Sequence, residues 1–303
     1  MYRPDDISDS FDAECKASLF LGDCLEFLPT IPDESIQLVV TSPPYNMRKD
    51  YEKSLEIDSY LEQQRLIIDE CFRVLRPTGS ICWQLGNYVK NGEIIPLDVL
   101  LYPAFRANNL QMRNRIIWHF GHGFHSSNRF SGRYETINWF TKTNNYTFNL
   151  DQVRVPQKYP GKKYSRGSRK GEYSGNPKGK NPSDVWDIPN VKSRHIEKTH
   201  HPCQFPISLV QRLVLSMSNE GELVLDPFMG VGSAPAAAVL CGRKGVGSEL
   251  VEAYHKLAVE RVQMALQGTL PFREDKPVFV PSDGLAVARN PWTEHEGGKE
   301  RSS

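Results

Sequence analysis

The sequence predicts an α/β fold, a doubly wound and largely parallel sheet with helices on both faces and an antiparallel edge. Three observations carry this. Short β-branched apolar runs alternate with stretches whose apolar residues recur every three or four positions. Two runs end in strong punctuation: Pro43-Pro44 follows Ile36–Thr41, and a glycine turn follows Leu223–Leu225. Two late runs, Met112 to Phe120 and Tyr134 to Thr141, are joined by a glycine-rich loop and read as neighbouring strands.

The elements follow in order. Residues 1 to about 17 are polar. Ser18–Leu21 is a short strand, and Gly22-Asp23 turns it into a helical stretch from Cys24 to Leu28. Asp23 suits either a helix N-cap or a contact to a bound ligand. Ile36–Thr41 is a buried strand stopped by two prolines, which have no N–H for a ladder. Thr41-Ser42-Pro43-Pro44-Tyr45 is then either a proline turn or a rigid elbow at the sheet end where ligands sit. As an elbow it presents a hydroxyl, a fixed carbonyl and an aromatic face, a set suited to a planar heterocycle carrying an amine.

Ile57 to Leu75 is an amphipathic helix, broken by Pro77-Thr78-Gly79 ahead of the strand Ser80–Leu85. Ile94 to Asn108 reads as a second helix, before the pair of late strands. His119, His122 and His125 cluster between those strands without a nearby Cys, Asp or Glu, which favours a structural or DNA-facing loop over a metal site.

Character changes after Phe148. Between Arg154 and Lys180 the cations Arg154, Lys158, Lys162, Lys163, Arg166, Arg169, Lys170, Lys178 and Lys180 face Glu172 alone, with Tyr159, Tyr164 and Tyr173 among them. This is either a solvated loop or a surface for phosphate contact and base stacking. Packed structure resumes at Val185–Pro189, and Pro206 to Met217 is a helix with proline near its start.

Leu223–Asp226 is a strand running into Pro227-Phe228-Met229-Gly230-Val231-Gly232-Ser233 and an alanine-rich helix. Its spacing is not G-x-G-x-x-G, and a carboxylate sits where a pyrophosphate would be repelled. A small zwitterion fits better, with Asp226 answering an ammonium. Gly245–Glu249 is the next strand, ended by an acid suited to ribose hydroxyls, and Val251 to Leu266 is the last helix. The tail from Gln267 reads as linker or partner contact.

Length and composition set the bounds. The 303 residues suffice for one large domain or one with an insertion. With 37 Lys+Arg against 36 Asp+Glu, any nucleic-acid surface must be local. The six scattered cysteines form no C-x-x-C pair, which points to free thiols in a reducing cytoplasm. No apolar run reaches membrane-spanning length, and residues 1 to 6 lack a signal-peptide pattern.

The pairing of Asp226–Gly232 with Thr41–Tyr45 resembles the S-adenosylmethionine-dependent DNA amino-methyltransferases. The tetrapeptide comes first, a basic segment follows and the cofactor turn comes last, an order that resembles the β group. Asn145–Asn149 and His201–Pro206 extend the resemblance, which covers roughly residues 18 to 266. It implies a Rossmann-like methyltransferase sheet with circularly permuted motif order and an inserted target-recognition segment. The implied organisation is 1–148 and 199–266 for the catalytic domain, 149–198 for target recognition, and 267–303 for the tail.

The resemblance also implies roles. Ser42, Pro43, Pro44 and Tyr45 form the catalytic clamp. Asp226, Phe228, Gly230 and Gly232 hold the methionine end of S-adenosyl-L-methionine, Ser233 opens the helix beneath it, Glu249 takes the ribose, Asp23 lies near the adenosine and His201 closes over the methionine. Lys162, Lys163, Arg166, Arg169, Lys170, Lys178 and Lys180 meet double-stranded DNA. A homodimer and a cognate restriction endonuclease are the implied protein partners. The commoner His-Pro-Thr-Gln-Lys-Pro pattern is altered here, with Cys203 and Phe205 standing in.

An exocyclic amine is a poor nucleophile because its lone pair is delocalised into the ring. Ser42 and the Pro43 carbonyl can accept its hydrogens and free that lone pair, with no metal and no covalent enzyme intermediate. A target inside duplex DNA must first be flipped out, at a cost of a few kcal/mol. Ser at the first tetrapeptide position is commoner in cytosine-N4 enzymes. Asn145–Asn149, Val185–Pro189 and the His-Pro segment look like orphan and cell-cycle-type adenine methyltransferases, and the balance leans to adenine N6. RNA and protein methyltransferases usually place the cofactor turn before the tetrapeptide, the reverse of the order here. A non-catalytic DNA-binding protein would not need both motifs.

Overall fold

The computed structural model describes residues 6–45, 56–121, 123, 125–192, 194–275 and 292. They fall into two compact units, one drawn from residues up to Asn149 and from Asp184–Asp275, the other from Leu150–Ser183 and residues beyond 275.

In the first unit the elements run β1 (Ile7–Ser8), β2 (Ala17–Leu21), α1 (Cys24–Phe27), β3 (Ile36–Thr41), α2 (Ile57–Val74), β4 (Leu75–Leu85), β5 (Asn87–Lys90), β6 (Glu93–Pro96), α3 (Leu97–Ala107), β7 (Gln111–His119) and β8 (Tyr134–Thr141). After the second unit come β9 (Val185–Asp187), α4 (Ile207–Met217), β10 (Leu223–Asp226), α5 (Ser233–Leu240), β11 (Lys244–Glu249) and α6 (Glu252–Leu266). Nine strands form one sheet in the order β1-β2-β11-β10-β3-β4-β8-β7-β9. Only β8 runs against the others, antiparallel to both β4 and β7. The expected antiparallel edge is therefore present, and β9 extends it by pairing parallel to β7.

Helices cover both faces, as a doubly wound sheet requires. On one face Tyr60, Ile67, Ile68 and Cys71 of α2 and Leu101 and Phe105 of α3 pack on Ile36, Val39, Ile81 and Trp83. On the other, Leu209 and Leu213 of α4, Ala234–Ala238 of α5 and Ala258 and Val262 of α6 pack on Leu38, Val40 and Val224. The alanines of α5 let it lie close to the sheet; a Cβ at Gly245 would come within 2.8 Å of Pro235. Every residue of β3 is buried, which places its end at the middle of the sheet.

Three expectations are corrected. The helix expected from Ile94 begins at Leu97, because Asn87–Lys90 and Glu93–Pro96 pair as a hairpin. Its turn is Asn91-Gly92, with φ of 52° and 84°, the positive pair that a two-residue hairpin turn demands. The recognition segment expected to reach 198 gives way at Asp184, since β9 is a sheet strand and the Glu197 carboxylate accepts from the backbone N–H of Ile207 and Arg273. The tail expected from 267 packs as far as Asp275, where Leu270 is buried and Asp275 pairs with Arg212.

The second unit is turn-rich. Val155 bridges Lys180 and Lys163 bridges Tyr173, while Gly167 and Gly171, both at positive φ, close the turn between Tyr164 and Glu172.

Candidate active site

β3 and β10 are parallel neighbours, with Leu38 opposite Val224 and Val39 opposite Leu225. Their carboxyl ends bring together motifs that lie 185 residues apart. The Thr41 hydroxyl donates to Asp226 Oδ1 at 2.6 Å, and the Phe228 N–H donates to the same oxygen at 3.0 Å. Asp226 is buried, and burial pushes its carboxyl up to about 7; those two hydrogen bonds work against the shift and the nearby Glu249 adds to it. Burial likewise raises Glu249, against hydrogen bonds from the Val251 and Gly230 N–H groups.

A cavity of about 500 Å³ opens at this edge. Ser42, Pro43, Pro44, Tyr45, Asp23, His201, Asp226, Phe228, Gly230, Ser233 and Glu249 all line it. Gly232 is not among the lining residues. It caps α5 at φ 73°, and a Cβ there would come within 2.9 Å of Ala258, so its small size serves the approach of α6 rather than a ligand. Asp23 caps α1, accepting from the Leu25 N–H at 2.9 Å, and it also lines the cavity.

The elbow is held from three sides. The Tyr45 hydroxyl donates to Gln84 Oε1 at 2.6 Å and lies 3.2 Å from Ser42 Oγ. Gln84 in turn donates to Glu135. Burial and the Glu135 charge push the phenol well above its ordinary range, so it stays protonated. Gly86 makes room for the ring: a Cβ there would sit 2.9 Å from it. From α2, the Tyr60 hydroxyl donates to the Pro44 carbonyl at 2.9 Å.

The His201 ring meets Tyr254 edge-on at 4.6 Å and lies over Gly230. The Ser233 hydroxyl donates to the Phe205 carbonyl at 3.0 Å, tying this altered segment to the start of α5. Phe205 is buried against Trp118, while Cys203 is exposed at the cavity. Tyr60, Gln64, Gln84 and Glu135 were missed in the sequence. The first two lie on the inward stripe of an amphipathic helix, where a site residue has the same spacing as a core residue.

The seven cations expected to meet DNA all belong to the second unit and are exposed. Arg169 pairs with Glu172 at 2.7 Å and covers the Tyr164 ring at 4.7 Å. Lys163 covers Tyr173 at 4.8 Å, and Lys178 pairs with Asp151. Lys162, Arg166 and Lys170 have no side-chain partner among the described residues. No group of three or more His, Cys, Asp or Glu side chains among the described residues is arranged to hold a metal. His119 instead contacts Asp187 at 3.1 Å, and His122 lies outside the described residues.

A family profile described as DNA methylase, covering N6 and N4 enzymes, matches residues 36–260. The chain belongs to this family. Among curated relatives of this DNA amino-methyltransferase, Type II methyltransferase M.BglII of Bacillus subtilis is 45% identical over 258 residues, 85% of this chain and 72% of that one. DNA adenine methyltransferase YhdJ of Escherichia coli (strain K12) is 33% identical over 260 residues, 84% and 85% of the two chains. TTHA0409 of Thermus thermophilus, solved in complex with S-adenosyl-L-methionine, superposes with a TM-score of 0.60 at 26% identity, covering 86% of this chain and 99% of that one. The expected β-group methyltransferase fold and its S-adenosylmethionine cofactor are borne out, and DNA is the substrate. No described helix is long and apolar enough to cross a membrane.

The cavity fits that cofactor. A buried carboxyl raised by desolvation gains from a cationic partner, Glu249 stands at the end of the adjacent strand for a diol, and Gly230 keeps the backbone between them bare.

Proposed function

We propose that the 500 Å³ cavity holds S-adenosylmethionine and a base flipped from duplex DNA, and that the amine methylated is cytosine N4. The observation that carries the reading is Ser42 at the cavity, beside the Thr41–Asp226 bond that joins the two motifs. Asp226, Phe228 and Gly230 take the methionine end, Glu249 the ribose, Asp23 the adenosine side, and His201 the cover. When bound, the cofactor supplies an electrophilic methyl group.

The chain's own residues prepare the amine. Ser42 Oγ and the Pro43 carbonyl accept its two hydrogens and turn its lone pair out of conjugation. Tyr60 occupies the Pro44 carbonyl, which fixes the elbow and leaves the Pro43 carbonyl as the acceptor. The Tyr45 ring, tethered through its hydroxyl to Gln84, supplies a stacking face worth about 1–3 kcal/mol against the cost of flipping.

The preference for cytosine departs from the lean of the sequence toward adenine. Two stretches behind that lean do structural work away from the cavity: Asn149 donates to the Ser218 carbonyl, and Val185–Asp187 is an edge strand. Ser42 is at the cavity. Adenine N6 is the second reading, favoured by the 33% identity to YhdJ. Nucleoside mass spectrometry of DNA treated with enzyme and cofactor decides: N4-methylcytosine is expected, N6-methyladenine transfers the reading to adenine, and unmodified DNA overturns both.

The basic second unit is the DNA-contacting surface in this reading, with Lys162, Arg166 and Lys170 as the phosphate contacts. The type II character of M.BglII supports a cognate restriction endonuclease, and the β-group resemblance supports a homodimer.

A further inference from the structure

Gln64 lines the cavity from α2 and is only 1% exposed. Its Oε1 is buried with no hydrogen-bond partner among the described residues. Buried side-chain amides are ordinarily satisfied, so an orphaned one at a cavity wall signals a missing ligand atom.

Its neighbours on the helix say which ligand. One turn earlier, Tyr60 reaches the Pro44 carbonyl. Seven residues later on the same face lies Cys71, fully buried in the same core cluster as Cys24. Gln64 therefore stands between the elbow and the Asp23-Cys24 junction, along the wall assigned above to the nucleoside of the cofactor.

We propose that Gln64 binds the adenine ring of S-adenosylmethionine along its amino edge. An amide offers one acceptor and two donors on adjacent atoms. Adenine offers an N6–H donor beside a ring-nitrogen acceptor, and the two pair bidentately. A flipped base also has an amino edge, but its amine must reach Ser42 and Pro43 and cannot be held by Gln64 as well. The inference rests on the assignment of the cavity to the cofactor.

Isothermal titration of the full chain tests it, with S-adenosylmethionine and an analogue whose adenine amine is replaced by a carbonyl. Wild type should prefer the natural cofactor by about tenfold or more, and Gln64→Leu should lose that preference together with about tenfold in affinity. Equal binding of the two ligands by wild type overturns the proposal without recourse to any variant. So does a Gln64→Leu enzyme with wild-type affinity, or one whose only defect is a raised KM for DNA. Asp226→Ala separates the failures. If it loses the cofactor while Gln64→Leu does not, the cavity assignment stands and Gln64 is excluded. If neither changes binding, the cavity assignment itself falls.

Discussion

Asp226 carries the sharpest consequences at the scale of single residues. With its carboxyl raised to about 7, cofactor affinity should strengthen as pH rises through that value and the site becomes anionic. It should weaken again above roughly 8, where an α-amino group of ordinary pKa loses its charge. Titration calorimetry across pH should therefore give a maximum between those limits, and Asp226→Asn should abolish the rising limb. Stability follows the opposite course in the free enzyme. The folded-state value lies above the ordinary 3.8, so this group favours folding at low pH and its contribution fades as pH climbs to about 7. Thermal melts of the wild type should lose stability across that window relative to Asp226→Asn. Tyr45→Ala should weaken base capture by about 1–3 kcal/mol, read as a rise in KM for DNA with cofactor affinity retained.

Among the elements, the join between β3 and β10 matters most, because it turns two distant motifs into one site. Thr41→Val keeps the shape of the strand but removes a hydrogen bond to a buried carboxyl, a loss of about 1–3 kcal/mol. The expected fall in Tm is several degrees, with a further upward shift of the Asp226 pKa visible in the cofactor pH profile. Gly232→Ala should destabilise through α5 and α6 rather than through the ligand, because its Cβ meets Ala258. Loss of Tm with near-normal cofactor affinity in the refolded fraction would mark that difference.

The main strands and helices were legible because buried β-branched runs and three-four spacing are imposed by the sheet itself. The hairpin at Asn91-Gly92 was hidden by the apolar Ile94, Ile95 and Leu97, which fit a helical stripe although the turn residues argue for strands. The site was legible where residue types are unusual for a strand end: Ser42, Asp226 and Glu249. It was illegible at Gln64 and Tyr60, whose spacing within α2 is that of ordinary core residues. Gly232 shows the converse error, a motif glycine whose nearest constraint is helix packing.

Across the whole molecule, a near-neutral chain gathers a run of exposed cations into one unit. Several of its cations are engaged within the unit, through Glu172, Asp151 and the Tyr164 and Tyr173 rings. Lys162, Arg166 and Lys170 have no side-chain partner among the described residues, and they are the phosphate contacts of the proposed function. Replacing each with alanine should lower the slope of log affinity against log salt by about 0.9 for every phosphate no longer neutralised, uniformly across DNA sequences. A defect confined to one DNA sequence would assign them to base reading instead.

Transfer of a labelled methyl group from S-adenosylmethionine to duplex DNA is the most direct test that Thr41–Tyr45 and Asp226–Gly232 form one catalytic cavity. Wild type should label DNA, Asp226→Ala should fail for want of cofactor, and Ser42→Ala should bind cofactor normally yet transfer slowly even at saturating DNA. Full activity in either variant would contradict the account.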